Sequence, residues 1–192
     1  NTHNISLEIM INHAKSVKLG VNKTPVVVDM PKNTYNNTGD ALKNAKKILK
    51  ISKCDAVKIE SNNKNYKIIE RLVKLNVPVM GHIGFTPQYK SKFKIQGLSK
   101  IEEKKLINKE LNIEKAGAFA IVLECVALKT AKKITKILKI PTIGIGSSVN
   151  CDGQILVTDD MIGLSGFYPK FVKKYQNLNK IIEKGVQKYR SD

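Results

Sequence analysis

The chain has 192 residues, a hydrophobic fraction of 42% and a formal net charge of +18. This length and apolar content suit a single domain, residues 1–192, with a packed core, and no run approaches the roughly 18 apolar residues of a transmembrane helix. The charge argues against a specific nucleic-acid surface. Its excess is nearly all Lys, with Arg only at Arg71 and Arg190, and it is spread along the chain without interleaved aromatics.

Residues 4–19 carry Ile5, Ile9, Met10, His13 and Val17 at helical spacing. That pattern predicts a helix with His13 on its inner stripe and Gly20 as its cap. An apolar run at 26–28 ends in Asp29 and reads as a strand. After a polar loop over 33–39, Asp40 is the expected N-cap of a helix over 41–50. A strand over 56–60, a helix over 66–75 and a strand over 77–81 follow, with His82 at the end of this last strand and a loop opened by Gly84, Thr86 and Pro87. The loop continues over 88–99. Ser99 with Glu102 then forms a capping-box pattern for a helix over 101–116, closed by Gly117. A strand at 120–124, a helix at 127–138 and strands at 141–145 and 154–158 complete the alternation. Helical pieces at 171–176 and 179–189 end the chain.

Alternating strands and helices predict a parallel sheet with right-handed crossovers. Neither a dinucleotide-binding G-x-G-x-x-G nor a phosphate-binding G-x-x-x-x-G-K motif is present. Several strands end in ionisable groups, namely Asp29, Glu60, His82 and Glu124. In α/β barrels the functional groups collect at the carboxyl ends of the strands. The expectation is therefore an α/β fold of the (β/α)8 TIM-barrel type. A full barrel takes about 250 residues, so about six βα units are expected here, with the first two strands missing from the amino terminus.

The residue types point to a reaction class. Asp29 and Glu60 are hard oxygen donors that suit Mg²⁺ together with water and substrate oxygens. Lys58 lies two residues before Glu60 and faces the same side of the strand, where it can pair with a carboxylate. His82 can donate to the same anion, and Glu124 is a candidate general base. A metal acting as Lewis acid on a 2-oxo acid would acidify the neighbouring C–H and stabilise an enolate. Plainer roles stand beside these: a helix cap for Asp29, an ion pair for Lys58 and Glu60, a satisfied histidine for His82. Cys54, Cys125 and Cys151 are far apart, odd in number and without C-x-x-C spacing. Buried thiols in a reducing, cytoplasmic setting are expected, and residues 1–6 show no signal-peptide pattern.

Several stretches carry a family resemblance. They are Asp29-Met30-Pro31, Val57-Lys58-Ile59-Glu60, the run VPVMGHIGFTPQ over 77–88, Leu123-Glu124-Cys125-Val126, residues 140–146 and the run CDGQILV over 151–157. The chain resembles ketopantoate hydroxymethyltransferase over essentially its whole length. The resemblance implies transfer of a hydroxymethyl group from 5,10-methylenetetrahydrofolate to 3-methyl-2-oxobutanoate, with Mg²⁺ and a homo-oligomer, commonly a decamer. It implies Asp29 and Glu60 at the metal, Lys58 and His82 on the keto acid, and Glu124 as general base. The family's Asp-Ser pair at an earlier strand end has no counterpart before the first helix. Ala127 stands where the family usually has Pro, and Ser147-Ser148 where it usually has Ala-Gly. A catalytically impaired fragment of this family and a Mg²⁺-dependent 2-oxo acid lyase or mutase are the alternative expectations.

Overall fold

The computed structural model describes residues 4–61, 65–90, 92–166 and 168–192. Ser91 of the loop expected over 88–99 lies outside them. The chain forms two compact units, residues 1–153 and 154–192.

In the first unit the apolar runs become parallel strands: β1 (Val27–Asp29), β2 (Ala56–Glu60), β3 (Val79–Gly84), β4 (Ala120–Glu124) and β5 (Thr142–Ile145). They lie side by side in chain order, and each neighbouring pair is parallel. Helix α1 (Leu7–Gly20) precedes the sheet. Helices α2 (Thr38–Ser52), α3 (Tyr66–Lys74), α4 (Lys100–Lys115) and α5 (Leu128–Ile137) each bridge successive strands. A two-residue strand, β6 (Gly153–Gln154), ends the sheet order. No helix intervenes between β5 and β6.

Register assigns the two faces of the sheet. Val57 pairs with Val79, Ile59 with Gly81, and Gly81 with Ile121. Partners in a parallel register share a face, and i, i+2 residues share it along a strand. Val57, Ile59, Val79, Ile83, Ile121 and Leu123 therefore form one apolar face, fully buried beneath the helices. Burying each such side chain contributes about 1.5–3 kcal/mol. The opposite face carries Asp29, Lys58, Glu60, His82 and Glu124.

The helix ends follow their local chemistry. Ser99 Oγ accepts from Glu102 N at 3.2 Å, and Glu102 Oε2 accepts from Leu98 N at 3.1 Å. Gly117 turns the chain out of α4 with φ at +90°.

Other expectations are corrected. The cap of α2 is Asn37, whose Oδ1 accepts from Asp40 N, so Asp40 lies in the first turn. In α1 the buried residues are Ile11 and Ala14, with Leu7 and Met10 packed against the core. His13, Ile9 and Val17 are exposed, because a competing stripe one position away fits the sheet better. Gly20 ends inside α1, and Val21 caps it. Strand β3 begins at Val79 and runs on to Gly84, past the expected end at Gly81. Of the run over 154–158 only Gln154 is in a strand, and Val157 caps a new helix, α6 (Thr158–Ile162).

The second unit contains α6 and α7 (Leu178–Ser191) and no helix over 171–176. Gly163 closes α6 in the left-handed conformation, and Tyr175 N donates to Met161 O at 2.8 Å. Neither helix has a fully buried residue. Among the described residues, no helix is long and apolar enough to cross a membrane.

Candidate active site

Strand alternation and register bring all five sequence-predicted site residues to one face at the carboxyl end of the sheet. Asp29 and Lys58 are register partners. Lys58 Nζ lies 3.1 Å from Asp29 Oδ1, with the lysine largely buried and the aspartate half exposed. Met30 N donates to Lys58 O at 3.0 Å, which continues the ladder one residue beyond β1.

Glu60 follows on the same face and is only 5% exposed. Its Oε2 accepts from Gln88 N at 2.9 Å. Burial pushes its carboxyl up to about 7; the negative charges of Asp29 and Glu124 add to this, while the Gln88 N–H and the Lys58 ammonium oppose it.

His82 is the register partner of Glu60 and is 1% exposed. Burial holds its imidazole below the usual histidine range, with Lys58 acting in the same direction and Glu124 against it. The ring is therefore neutral near pH 7. Its Nε2 approaches Glu124 Oε2 at 3.0 Å, but the pair is out of line for a good hydrogen bond, and Nδ1 has no protein partner. A buried imidazole left unsatisfied in this way is the pattern expected where a ligand completes the bonding.

Glu124 closes β4 and is part-buried. The chain turns sharply after it: Cys125 has φ at +51°, a left-handed conformation that costs a non-glycine residue about 1–3 kcal/mol. Two bonds hold that turn. Cys125 N donates to Ile145 O at 3.0 Å, and Cys125 O accepts from Gln96 N at 2.8 Å. Burial, reinforced by Glu124, pushes the Cys125 thiol up to about 11, which keeps it protonated at neutral pH. Gly84 is required where it stands. Its φ is +92°, and a Cβ there would lie 2.1 Å from the Glu124 carbonyl oxygen.

Three further residues escaped the sequence reading. Gln88 supplies the N–H to Glu60, and Tyr35 bonds to the Gln88 side chain across 53 positions of sequence. Ser61 follows Glu60 directly, and its buried Oγ has no partner. The T-P-Q run marked the Gln88 loop as distinctive, but no periodicity signals a contact between two loops.

Among the described residues, no group of three or more His, Cys, Asp or Glu side chains forms a ready metal cage. Asp29 and Glu60 carry oxygen donors of the kind that a hard cation such as Mg²⁺ takes together with water or substrate ligands. Burial is the main cause that raises the Glu60 carboxyl, with the charges of Asp29 and Glu124 adding less, and a cation at this end of the sheet would favour its charged form.

The description of the ketopantoate hydroxymethyltransferase family matches residues 1–192. The chain belongs to the ketopantoate hydroxymethyltransferase family. The 3-methyl-2-oxobutanoate hydroxymethyltransferase of Pelagibacter ubique is 50% identical over 192 residues, covering all of this chain and 75% of that relative. The enzyme of the same name from Clostridioides difficile is 45% identical over 194 residues, covering 98% of this chain and 70% of its own length. The family is one of transferases, so this chain is an enzyme of hydroxymethyltransferase type.

Solved structures agree on the fold. A putative phosphonomutase from Burkholderia cenocepacia superposes with a TM-score of 0.58 at 10% identity, covering 73% of this chain and 60% of that one. A 2,3-dimethylmalate lyase, a member of the PEP mutase/isocitrate lyase superfamily, gives 0.56 at 12% identity, covering 76% and 54%. The chain thus has a TIM-barrel-like α/β fold.

Proposed function

We propose that the chain is a 3-methyl-2-oxobutanoate hydroxymethyltransferase, which uses 5,10-methylenetetrahydrofolate and water to form 2-dehydropantoate and tetrahydrofolate on the way to pantothenate. The observation that carries this reading is the placement of Glu124 3.0 Å from the buried His82, on the same sheet face as the Asp29–Lys58 pair. The family relationship supports the same assignment. Participation of the folate and assembly as a homo-oligomer belong to this proposal.

The roles follow from the chemistry of each group. Lys58 pairs with the substrate carboxylate, because it is the cation on this face and its stem is buried. Neutral His82 donates one hydrogen bond to the keto acid. Asp29 and Glu60 hold Mg²⁺. When bound, the ion acts as a Lewis acid that polarises the ketone. Glu124 takes the C3 proton, and the C3–H electron pair moves into the C2–C3 bond to give an enolate. C3 then bonds to the folate-borne methylene carbon, both carbon–nitrogen bonds from that carbon to the folate break, water supplies the hydroxyl, and the two freed nitrogens take up the proton held by Glu124 and the remaining proton of water. The apolar neighbours Val122 and Val126, both buried, restrict water around Glu124.

Conversion is tested by incubating the chain with the keto acid, Mg²⁺ and 5,10-methylenetetrahydrofolate and following products by mass. Folate-dependent 2-dehydropantoate is expected. Cleavage of the keto acid instead would move the chain to the lyase class.

A further inference from the structure

We propose that Gln88 is a positioning residue that locks the Asp29 strand end and the Glu60 carboxylate into one arrangement. This rests on the reading of the site given above. Gln88 is 4% exposed and bonds at three points. Its backbone N donates to Glu60 Oε2 at 2.9 Å, at the end of β2. Its Nε2 donates to Met30 O at 2.9 Å, directly after Asp29 at the end of β1. Its Oε1 accepts from Tyr35 Oη at 2.5 Å, in the loop after β1. One residue of the loop after β3 thus spans the ends of the two strands that carry Asp29 and Glu60.

The bonds are directional. A carbonyl such as Met30 O only accepts, so Nε2 must face it, and Oε1 is then left for the tyrosine hydroxyl. Each end of the amide has a protein partner, unlike the ring nitrogens of His82. No isostere reproduces the set: Glu cannot donate to Met30 O, Met does neither, and Asn is one methylene short. Tyr35 is itself 2% exposed and accepts from Tyr89 Oη at 3.3 Å, so its ring is held in place. Lys90 anchors the same loop, donating from Nζ to Gly84 O at 2.7 Å and to Gln96 Oε1 at 2.9 Å. Without the side-chain amide, the backbone N–H at 88 is free to drift from Glu60, and the carbonyl after Asp29 loses its donor. Partners of this outer kind usually alter metal affinity or activity by about 10–100-fold.

The test compares the parent chain with Gln88→Met and Tyr35→Phe in three measurements. Amide hydrogen exchange reads the geometry without any ligand. Protection at position 88 is expected to fall at least about tenfold in both variants, while the Val122 amide in β4 stays unchanged. A merely structural role would lower both amides together, and unchanged protection at 88 in both variants would overturn the proposal. Calorimetry with Mg²⁺ alone and the keto acid dependence of C3 proton exchange read the consequence. Binding of Mg²⁺ is expected to weaken about tenfold and the apparent KM to rise about tenfold, with the maximal exchange rate within about twofold. A fall in maximal rate at unchanged KM would contradict the proposal. Tyr35→Phe keeps the ring and removes one hydroxyl, so it decides the matter if Gln88→Met does not fold. If the parent chain neither binds Mg²⁺ nor exchanges the C3 proton, the functional reading fails, while amide protection still decides the positioning.

Discussion

Glu60 and Glu110 are both buried glutamates, and in both burial raises the carboxyl above its usual range. Their surroundings differ in kind. Glu60 sits at the carboxyl end of β2, with the Gln88 N–H on one oxygen and the Lys58 ammonium nearby. Glu110 lies on the buried face of α4 with Leu106 and Ile113, 1% exposed, and neither of its oxygens has a hydrogen-bond partner. Desolvation is the one cause of its shift. Burial alone therefore does not separate the two carboxylates. What marks Glu60 is burial combined with groups arranged to hold its charge, in company with other ionisable side chains.

The sharpest way to break this comparison is at Lys58, the cation of the site. Lys58→Met is expected to raise the keto acid KM about a hundredfold in C3 exchange assays, since losing one partner of a buried charge pair costs about 2–5 kcal/mol. An unchanged KM would leave the sheet face without its anion-binding group.

Glu110 should respond in stability rather than activity. Its folded form keeps the proton to higher pH than the unfolded chain does, because its carboxyl is raised. Above the ordinary carboxylate range the folded state then holds more protons, so stability falls as pH rises. Glu110→Met removes that slope and the unsatisfied carboxyl together. Denaturant midpoints are expected to show a gain of about 1–3 kcal/mol at pH 8 and a smaller gain at pH 5. An equal gain at both values would mean that the carboxyl does not stay protonated in the fold.

The smallest effect is expected at Glu70, a solvent-facing member of the Glu70–Lys74 pair at 2.6 Å. The Lys74 ammonium holds its carboxyl below the usual range, yet exposed pairs of this kind contribute little. Glu70→Gln should leave Tm unchanged within about 1 °C. A clear shift would show that charge pairing, rather than burial, separates the glutamates of this chain.

Much of this was legible from residue order. Strands β2 and β4 have the predicted bounds, and the Ser99–Glu102 cap forms where the motif indicated. Asp29, Lys58, Glu60, His82 and Glu124 converge because each ends or nearly ends a strand in a parallel register, and apolar runs report strand ends well. Other features were hidden for definite reasons. Two stripes compete in α1, and only packing against the sheet selects Ile11 and Ala14. Gly81 looks like a breaker, yet β3 continues through it to Gly84. At Gly81 the missing Cβ admits Ile113 Cγ2, which would otherwise lie 2.6 Å away. A glutamate in a Lys-rich helix reads as solvated, so Glu110 gave no signal. The Gln88–Tyr35 contact joins two loops, where no periodic pattern operates.

The central claim, that Glu124 removes a proton from a keto acid held on this face, is tested most directly by proton NMR. The chain is incubated in D₂O with 3-methyl-2-oxobutanoate and Mg²⁺, and the C3 proton signal is followed for parent and Glu124→Gln. The account predicts steady Mg²⁺-dependent loss of that signal with the parent and a rate at least about a hundredfold lower with the variant, while calorimetry still detects keto acid binding to both. Exchange that persists unchanged in Glu124→Gln would contradict the assignment of the base, and a folded parent chain that binds the keto acid without exchanging its proton would contradict the account of the site.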